Sequence, residues 1–422
     1  MTLLVGVDVL GQGPRDLAIR DSVLVDPAQA GDWNRVDGAG LVALPGLVDP
    51  HTHLRDPGTG ESETIESGSR AAVRGGYTAV CAMPNTTPVA DTAEVCAYER
   101  RRGEEVGLVD VVPIGAVTRG QRGEELADIA AMGAVGVRVF SDDGFCVARS
   151  DLMRDALLAV RDLGGLVAQH AQDPLLSAGA QVDAEVAERL GLPGWPGMAE
   201  TVIVARDAVM AAELGSRVHV CHASTAQTVA VLRWAKAQGY PVTAEATPHH
   251  LSLDHHYAET GDPVFKVNPP LRSEADVRAV QDALVDGTLD VVGTDHAPHP
   301  PAAKQTGWCE AANGMLGLET ALAVVAEKLV CTGRMSWADL ADRMSYAPAR
   351  LASLTGHGPS LEPGSVASLC LVDPNRPWQV SSAELASTAR NNPYHGRTYR
   401  ARVVATVLRG RVTYDLDGRF PS

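Results

Sequence analysis

Leu47-Val48-Asp49-Pro50-His51-Thr52-His53-Leu54-Arg55 is a short apolar run that ends in two histidines one residue apart. Residues i and i+2 of a β-strand project to the same face. A strand here therefore delivers His51 and His53 side by side from its carboxyl end, an arrangement suited to a divalent transition metal. The same order of apolar run, polar turn and helix-like stretch repeats along the chain. The runs are residues 46–50, 77–83, 109–117, 135–140, 165–169, 217–221, 241–246 and 289–293. They are short and β-branched and do not alternate apolar with polar, as expected of buried parallel strands. Between them, residues 62–74, 91–102, 149–163, 199–214, 226–238 and 274–286 carry apolar side chains at helical spacing, often with Asp or Ser near the start. Eight strands alternating with helices predict an α/β fold, a (β/α)8 TIM-type barrel over residues 46–361. The rival is a doubly wound open sheet, which would gather its site at one crevice rather than around a ring.

The polar residues obey one rule. His51 and His53, Asn85, Asp142 and Asp143, His170, His222, His249 and His250, and Asp295 to His299 all follow the carboxyl end of an apolar run. That is the face on which a barrel builds its active site. Residues 1–45 and 362–422 differ: short β-type stretches at 22–25, 367–372 and 401–409 are separated by Gly, Asp and Pro turns. They predict one small β-sandwich domain assembled from both termini and flanking the barrel. Helical stretches at 316–330 and 337–355 close the barrel and lead to it.

Composition narrows the class. A hydrophobic fraction of 45% and a charged fraction of 21% over 422 residues are those of a globular enzyme. A formal charge of −16 argues against nucleic acid or an anionic membrane as partner, though not against an acidic substrate held in a local cationic pocket. The start lacks a signal peptide's basic and apolar regions, and no apolar run approaches a membrane span. The seven cysteines are scattered without a Cys-x-x-Cys, which points to reduced thiols and a cytoplasmic setting.

Collecting the strand-end donors gives His51, His53, Asp143, His170, His222 and Asp295, enough for two metals. A carboxylate such as Asp295, beside an activated water, is placed to take its proton and pass it to a leaving nitrogen. His51-x-His53, a histidine after each of two later strands and Gly-Thr-Asp295-His resemble the amidohydrolase superfamily. Within it, His51-Thr-His53-Leu-Arg55-Asp-Pro-Gly58, Met83-Pro-Asn85-Thr86, Ser141-Asp-Asp143-Gly144, Leu190-Gly-Leu-Pro193, Lys266-Val-Asn268-Pro-Pro-Leu-Arg272 and Asp295-His-Ala-Pro-His299 resemble the bacterial class I dihydroorotases. Gly317-Leu-Glu-Thr320 and Leu361-Glu-Pro-Gly364 fit as well, so the likeness runs over nearly the whole chain.

That resemblance implies a zinc-dependent cyclic-amide hydrolase of pyrimidine biosynthesis, interconverting N-carbamoyl-L-aspartate and L-dihydroorotate. It implies one or two Zn2+, two being favoured, held by His51, His53, Asp143, His170, His222 and Asp295. Asp143 would bridge the ions, a metal-bound hydroxide would be the nucleophile and Asp295 the general acid and base. Substrate would be bound by His53, Arg55, Asn85, Asn268 and His299, with backbone groups at Asn313 and Gly314. Arg55 offers a planar fork for a carboxylate. A homodimer, and association with aspartate transcarbamoylase, are further implications. The chain departs from many relatives in one respect. Val137-Arg-Val-Phe-Ser-Asp-Asp-Gly144 holds no lysine to serve as a carbamylated bridge, and Asp143 takes that place, as in a subset of class I dihydroorotases. Alternatives are another cyclic amidohydrolase, such as allantoinase or dihydropyrimidinase, and a non-catalytic dihydroorotase-like partner of aspartate transcarbamoylase.

The remaining histidines have plainer readings. His219 is expected in barrel packing, His249 and His250 in structural support, and His255, His256, His357 and His395 at the surface or in turns. His296 and Asp142 alternate with metal ligands and are expected to point away from the metal. Residues 298–314, rich in Pro, Ala and Gly, are expected to form a lid over the substrate.

Overall fold

A computed structural model describes residues 1–421. Its centre is a ring of eight short strands: Leu47–Thr52, Tyr77–Ala82, Asp110–Pro113, Val139–Phe140, Leu166–Gln169, Val218–Val220, Val242–Ala246 and Val291–Val292. The first three pair in order and in parallel, and so do the last five. Single parallel bridges close the two seams, Gly115 with Phe140 and Thr52 with His296. Val80, Phe140, Val167 and Val292 pack outward in the large cluster shared with the helices. Their neighbours Cys81, Val139, Leu166 and Val291 form an inner cluster with Leu351. Both faces of these four strands are thus buried, which is why their sequence runs lack alternation.

The helices begin and end where side chains satisfy their free backbone groups. Thr64 caps Ile65–Arg74 by accepting from Ser67 N at 3.1 Å, and Ser273 caps Glu274–Asp286. The predicted strand at 135–140 is shorter than expected, only Val139–Phe140. Asp128 caps a helix, Ile129–Ala134, immediately before it, and the chain then turns through Gly136 at φ +94°.

Strands from both ends of the chain build one eight-stranded sheet, in which Leu369–Asp373, Arg402–Leu408 and Arg411–Asp415 join five strands of residues 2–45. Thr2–Val9 bends at Gly6, φ +66°, pairing with Asn34–Asp37 before it and with Val42–Pro45 after it. The sheet thereby folds over its own apolar core of Leu4, Val7, Leu369 and Val404. Trp378–Gln379 and Thr398–Tyr399 stand apart as a separate two-stranded ladder. Among the described residues no helix is long and apolar enough to cross a membrane.

The seam between the first and eighth strands depends on one fully buried carboxylate. Asp49 accepts from His51 N at 3.2 Å, Thr294 N at 2.9 Å, Thr294 Oγ1 at 2.5 Å and the Thr52 hydroxyl. Burial pushes the Asp49 carboxyl up, and the Thr294 and Thr52 hydrogen bonds work against that. The bonds bind the strand carrying His51 to the strand carrying Asp295. Asp49→Ala strands these buried donors and is expected to cost about 3 kcal/mol. Urea unfolding reads this directly, and a loss below about 1 kcal/mol would show that the seam holds without it.

Candidate active site

The carboxyl ends of the strands open onto a cavity of about 280 Å³. His53, Arg55, Asn85, Asp143, His170, Asn268, Asp295, Asn313 and Gly314 line it, with Phe145 and Val267 as apolar wall. His51 and His222 lie buried against the same cluster. A larger cleft of about 450 Å³, between Arg74, Glu319, Trp378 and Tyr414, holds no histidine and has a lining of mixed charge.

Asp143 is the centre of the cluster. Its Oδ1 lies 3.1 Å from His170 Nδ1 and 3.2 Å from His222 Nε2. Its Oδ2 lies 3.4 Å from His51 Nε2 and 3.3 Å from His53 Nε2. Asp295 Oδ1 joins the second group, 3.2 Å from His53 Nε2 and 3.5 Å from His51 Nε2. Two sets of donors therefore share one carboxylate: His51, His53 and Asp143, and Asp143, His170 and His222. Arg55, His222 and Asp295 adopt positive φ values of 55°, 36° and 46°. Side chains other than glycine rarely do so, at a cost of order 1–3 kcal/mol each. The chain turns sharply at these residues as it leaves the strands.

The electrostatics call for positive charge. Burial acts against the charge on His51, yet Glu245, Asp143 and Asp295 outweigh it and raise its pKa well above the ordinary value. Burial likewise opposes the ionised forms of Asp143 and Asp295, but His51 and its neighbours hold both below the usual carboxylate range. His51 Nε2 is buried without a hydrogen-bond partner. An unpartnered imidazole nitrogen beside two aspartates, with a further histidine pair across Asp143, is a donor set that fits divalent metal.

Glu245 and Gln172 belong to the site although sequence reasoning passed over both. Glu245, on the seventh strand, accepts from His51 Nδ1 at 2.5 Å, His219 Nε2 at 3.2 Å and His222 N at 3.0 Å. It fixes the His51 tautomer so that Nε2 faces the aspartates. His219, expected only to pack, is thus part of this network, and its Nδ1 lies 2.9 Å from Thr243 Oγ1. A Cβ on Gly293 would stand 2.4 Å from Glu245 Oε2, so only glycine leaves room for the carboxylate. One charged residue inside the apolar run 241–246 was the available signal. Gln172 Oε1 lies 2.8 Å from His170 Nε2 and accepts from Asn268 Nδ2 at 3.0 Å, tying metal side to substrate side.

Some of the other placements differ from expectation and some agree with it. His299 stands beside the cavity wall, its Nε2 2.7 Å from the Asn313 carbonyl, and burial, with Arg55 nearby, pushes its pKa down to about 3. His255 and His357 are buried rather than superficial, because each finds a carboxylate, Asp183 at 3.0 Å and Asp110 at 2.7 Å. His249 is buried with Nε2 3.9 Å from Asp295 Oδ2, and burial pushes its pKa down to about 4. His250 lies 2.8 Å from Thr247 Oγ1 through Nδ1. His296 turns away from the cluster onto Glu63 at 3.2 Å, and Asp142 onto Val117 N and Thr118 N at 2.8 and 3.0 Å. The stretch 298–314 contains a short helix, Pro301–Lys304, pinned by crossed lysines. Lys304 Nζ donates to Pro263 O and Lys266 O, both at 2.9 Å, while Lys266 Nζ donates to Trp308 O at 2.7 Å.

Glu245→Gln removes the charge behind His51 while keeping its shape. We expect metal retention against a chelator to weaken about 10–100-fold with the fold intact. Unchanged retention would remove Glu245 from the metal centre.

A dihydro-orotase-like family model matches residues 40–228. The dihydroorotase of Streptomyces coelicolor is 52% identical, covering 99% of this chain and 99% of that one. That of Mycobacterium tuberculosis is 49% identical over 97% of each. Among solved structures, the L-hydantoinase (dihydropyrimidinase) of Arthrobacter aurescens superposes with a TM-score of 0.88 at 25% identity, over 98% of this chain and 96% of that one. Barrel, strand-end histidine and aspartate cluster, and full-length likeness agree: the chain belongs to the dihydroorotase family, metal-dependent cyclic-amide hydrolases of the amidohydrolase superfamily.

Proposed function

We propose that this chain interconverts N-carbamoyl-L-aspartate and L-dihydroorotate, with the buried cluster around Asp143 as its metal centre. The observation that carries the proposal is one cavity in which Arg55 and Asn85 stand beside that cluster. An acidic chain thereby offers a carboxylate-bearing substrate a local cation. His51, His53 and Asp295 would hold one ion and His170 and His222 a second, with Asp143 common to both. The imidazole and carboxylate donors favour zinc. When bound, such ions lower the pKa of water toward ~7 and polarise a carbonyl.

The chain's own residues then do the following. Arg55 receives the substrate carboxylate, with Asn85 and Asn268 completing the wall. His299, kept neutral and 2.7 Å from the Asn313 carbonyl, joins the Asn313–Gly314 backbone in binding the substrate. Asp295, held ionised by its histidines, takes the proton of the attacking water. In the hydrolytic direction the water oxygen bonds to the ring carbonyl carbon, the carbon–nitrogen bond breaks, and Asp295 returns its proton to the departing nitrogen. Ring closure reverses each step and releases water. A homodimer, association with aspartate transcarbamoylase and a cytoplasmic setting belong to the same proposal; seven free cysteines suit the last.

An allantoinase or dihydropyrimidinase reading is disfavoured by Arg55 and Asn85 at the cavity and by an aspartate where those relatives carry a bridging lysine. A non-catalytic role is disfavoured because the ligand set is complete and gathered in one place.

Metal analysis alongside dihydroorotate hydrolysis tests the assignment. Asp295→Asn should keep its metal and lose turnover by roughly 10²–10⁴-fold; near-normal activity would sink the role given to Asp295. Asp143→Ala should lose metal and activity together. Wild type should turn over dihydroorotate but not dihydrouracil, which lacks the carboxylate for Arg55. Comparable rates on both would overturn the substrate proposal.

A further inference from the structure

Asn391 lies far from every site residue in sequence, yet its side chain sits at the neck of the loop that walls the substrate cavity. It is 5% exposed. Its Nδ2 donates to Ala297 O at 2.9 Å and to Gly314 O at 3.1 Å, and its Oδ1 accepts from His299 N at 3.2 Å. Its backbone carbonyl accepts from Leu316 N at 3.1 Å. The amide has only one orientation that meets two carbonyls and one N–H, so its donors and acceptor are all matched. The four bonds tie 297–299 to 314–316, the two ends of the loop that carries Asn313. Ala297, Asn313 and Gly314 line the cavity.

The segment bearing Asn391 is itself fixed to the barrel. Glu63, fully buried beside the first helix, accepts from the Ser387 hydroxyl, from Thr388 N at 3.0 Å and from His296 Nε2 at 3.2 Å. His296 Nδ1 accepts from Gly317 N at 3.2 Å. A carboxylate on the barrel thus braces both the strand end next to Asp295 and the segment that supplies Asn391. None of these groups belongs to the metal cluster.

We infer that Asn391 is a positioning residue for substrate binding: a C-terminal side chain that sets the spacing of the loop ends, and so the placement of the Ala297 and Asn313–Gly314 wall against the substrate. This rests on the dihydroorotase reading of the cavity. The wall contacts the substrate away from the metal ligands. Losing its alignment weakens ground-state and transition-state binding alike, which raises KM and spares kcat.

The test compares wild type, Asn391→Ala and Asn391→Asp for dihydroorotate hydrolysis, metal content and amide hydrogen exchange. Asn391→Asp keeps the volume and the acceptor for His299 N but turns an oxygen toward two carbonyls, so it reports even if the alanine variant folds poorly. We expect KM to rise about tenfold or more in both, kcat to stay within about threefold, metal content to be unchanged and exchange at His299 to quicken. An unchanged KM, or a parallel fall in kcat and metal content, would overturn the inference. If wild type fails on dihydroorotate, the functional reading falls and takes the substrate-binding role with it; unchanged protection of His299 N–H in an active enzyme refutes the inference separately.

Discussion

Three carboxylates, Asp143, Asp295 and Glu245, are buried around His51 near the mouth of the barrel, and the surrounding architecture follows from keeping them ionised there. A buried carboxylate without partners is penalised by several kcal/mol. Here each is surrounded by imidazoles brought in from different strands, and Glu245 takes a backbone donor as well. Glu245 draws on His51, His219 and the His222 backbone; Asp143 and Asp295 draw on the ring nitrogens of four histidines. The pocket therefore selects for cations, and Glu245 orients the ring of His51. Glu245 sits behind the ring of His51 and not beside the cavity, so it adds charge and orientation without blocking access.

Holding those donors in register requires the ring of strands to close, and closure is thin. Each seam has a single backbone bridge, and Asp49 supplies the side-chain reinforcement at the one between His51 and Asp295. On the substrate side the same problem is solved from outside the barrel. Residues 385–392 reach back over its mouth, fixed by Glu63, and meet the loop that lysines 266 and 304 pin further out. Asp49 thus braces the metal side and Asn391 the substrate side, while Glu63 and Gln172 link the two.

Much of this was legible in the sequence, for a local reason. The period of a strand puts His51 beside His53, and the position of a polar residue at the end of an apolar run puts it at the barrel's catalytic face; both follow from a few neighbouring residues. Asp143 in place of a lysine was expected from the resemblance to a subset of class I dihydroorotases, with Asp142 as its off-face neighbour. Expectations weakened where partners are distant. His255 and His357 looked superficial because Asp183 and Asp110, which make their burial tolerable, lie 72 and 247 residues away. The contact of the His299 ring with the Asn313 carbonyl, 14 residues on, was likewise beyond the reach of local pattern.

The sequence by itself determined the alternation of strands and helices, the terminal β-strands and the chemical kinds of donor available to a metal. Those depend on periodicity and residue type, which survive in one dimension. Only the tertiary structure decided that one oxygen of Asp143 faces His170 and His222 while the other faces His51 and His53. It alone placed Glu245 behind His51 and Asn391 at the neck of the substrate loop. These are matters of direction between segments far apart in the chain, and direction is set when the ring closes and the C-terminal segment packs across it.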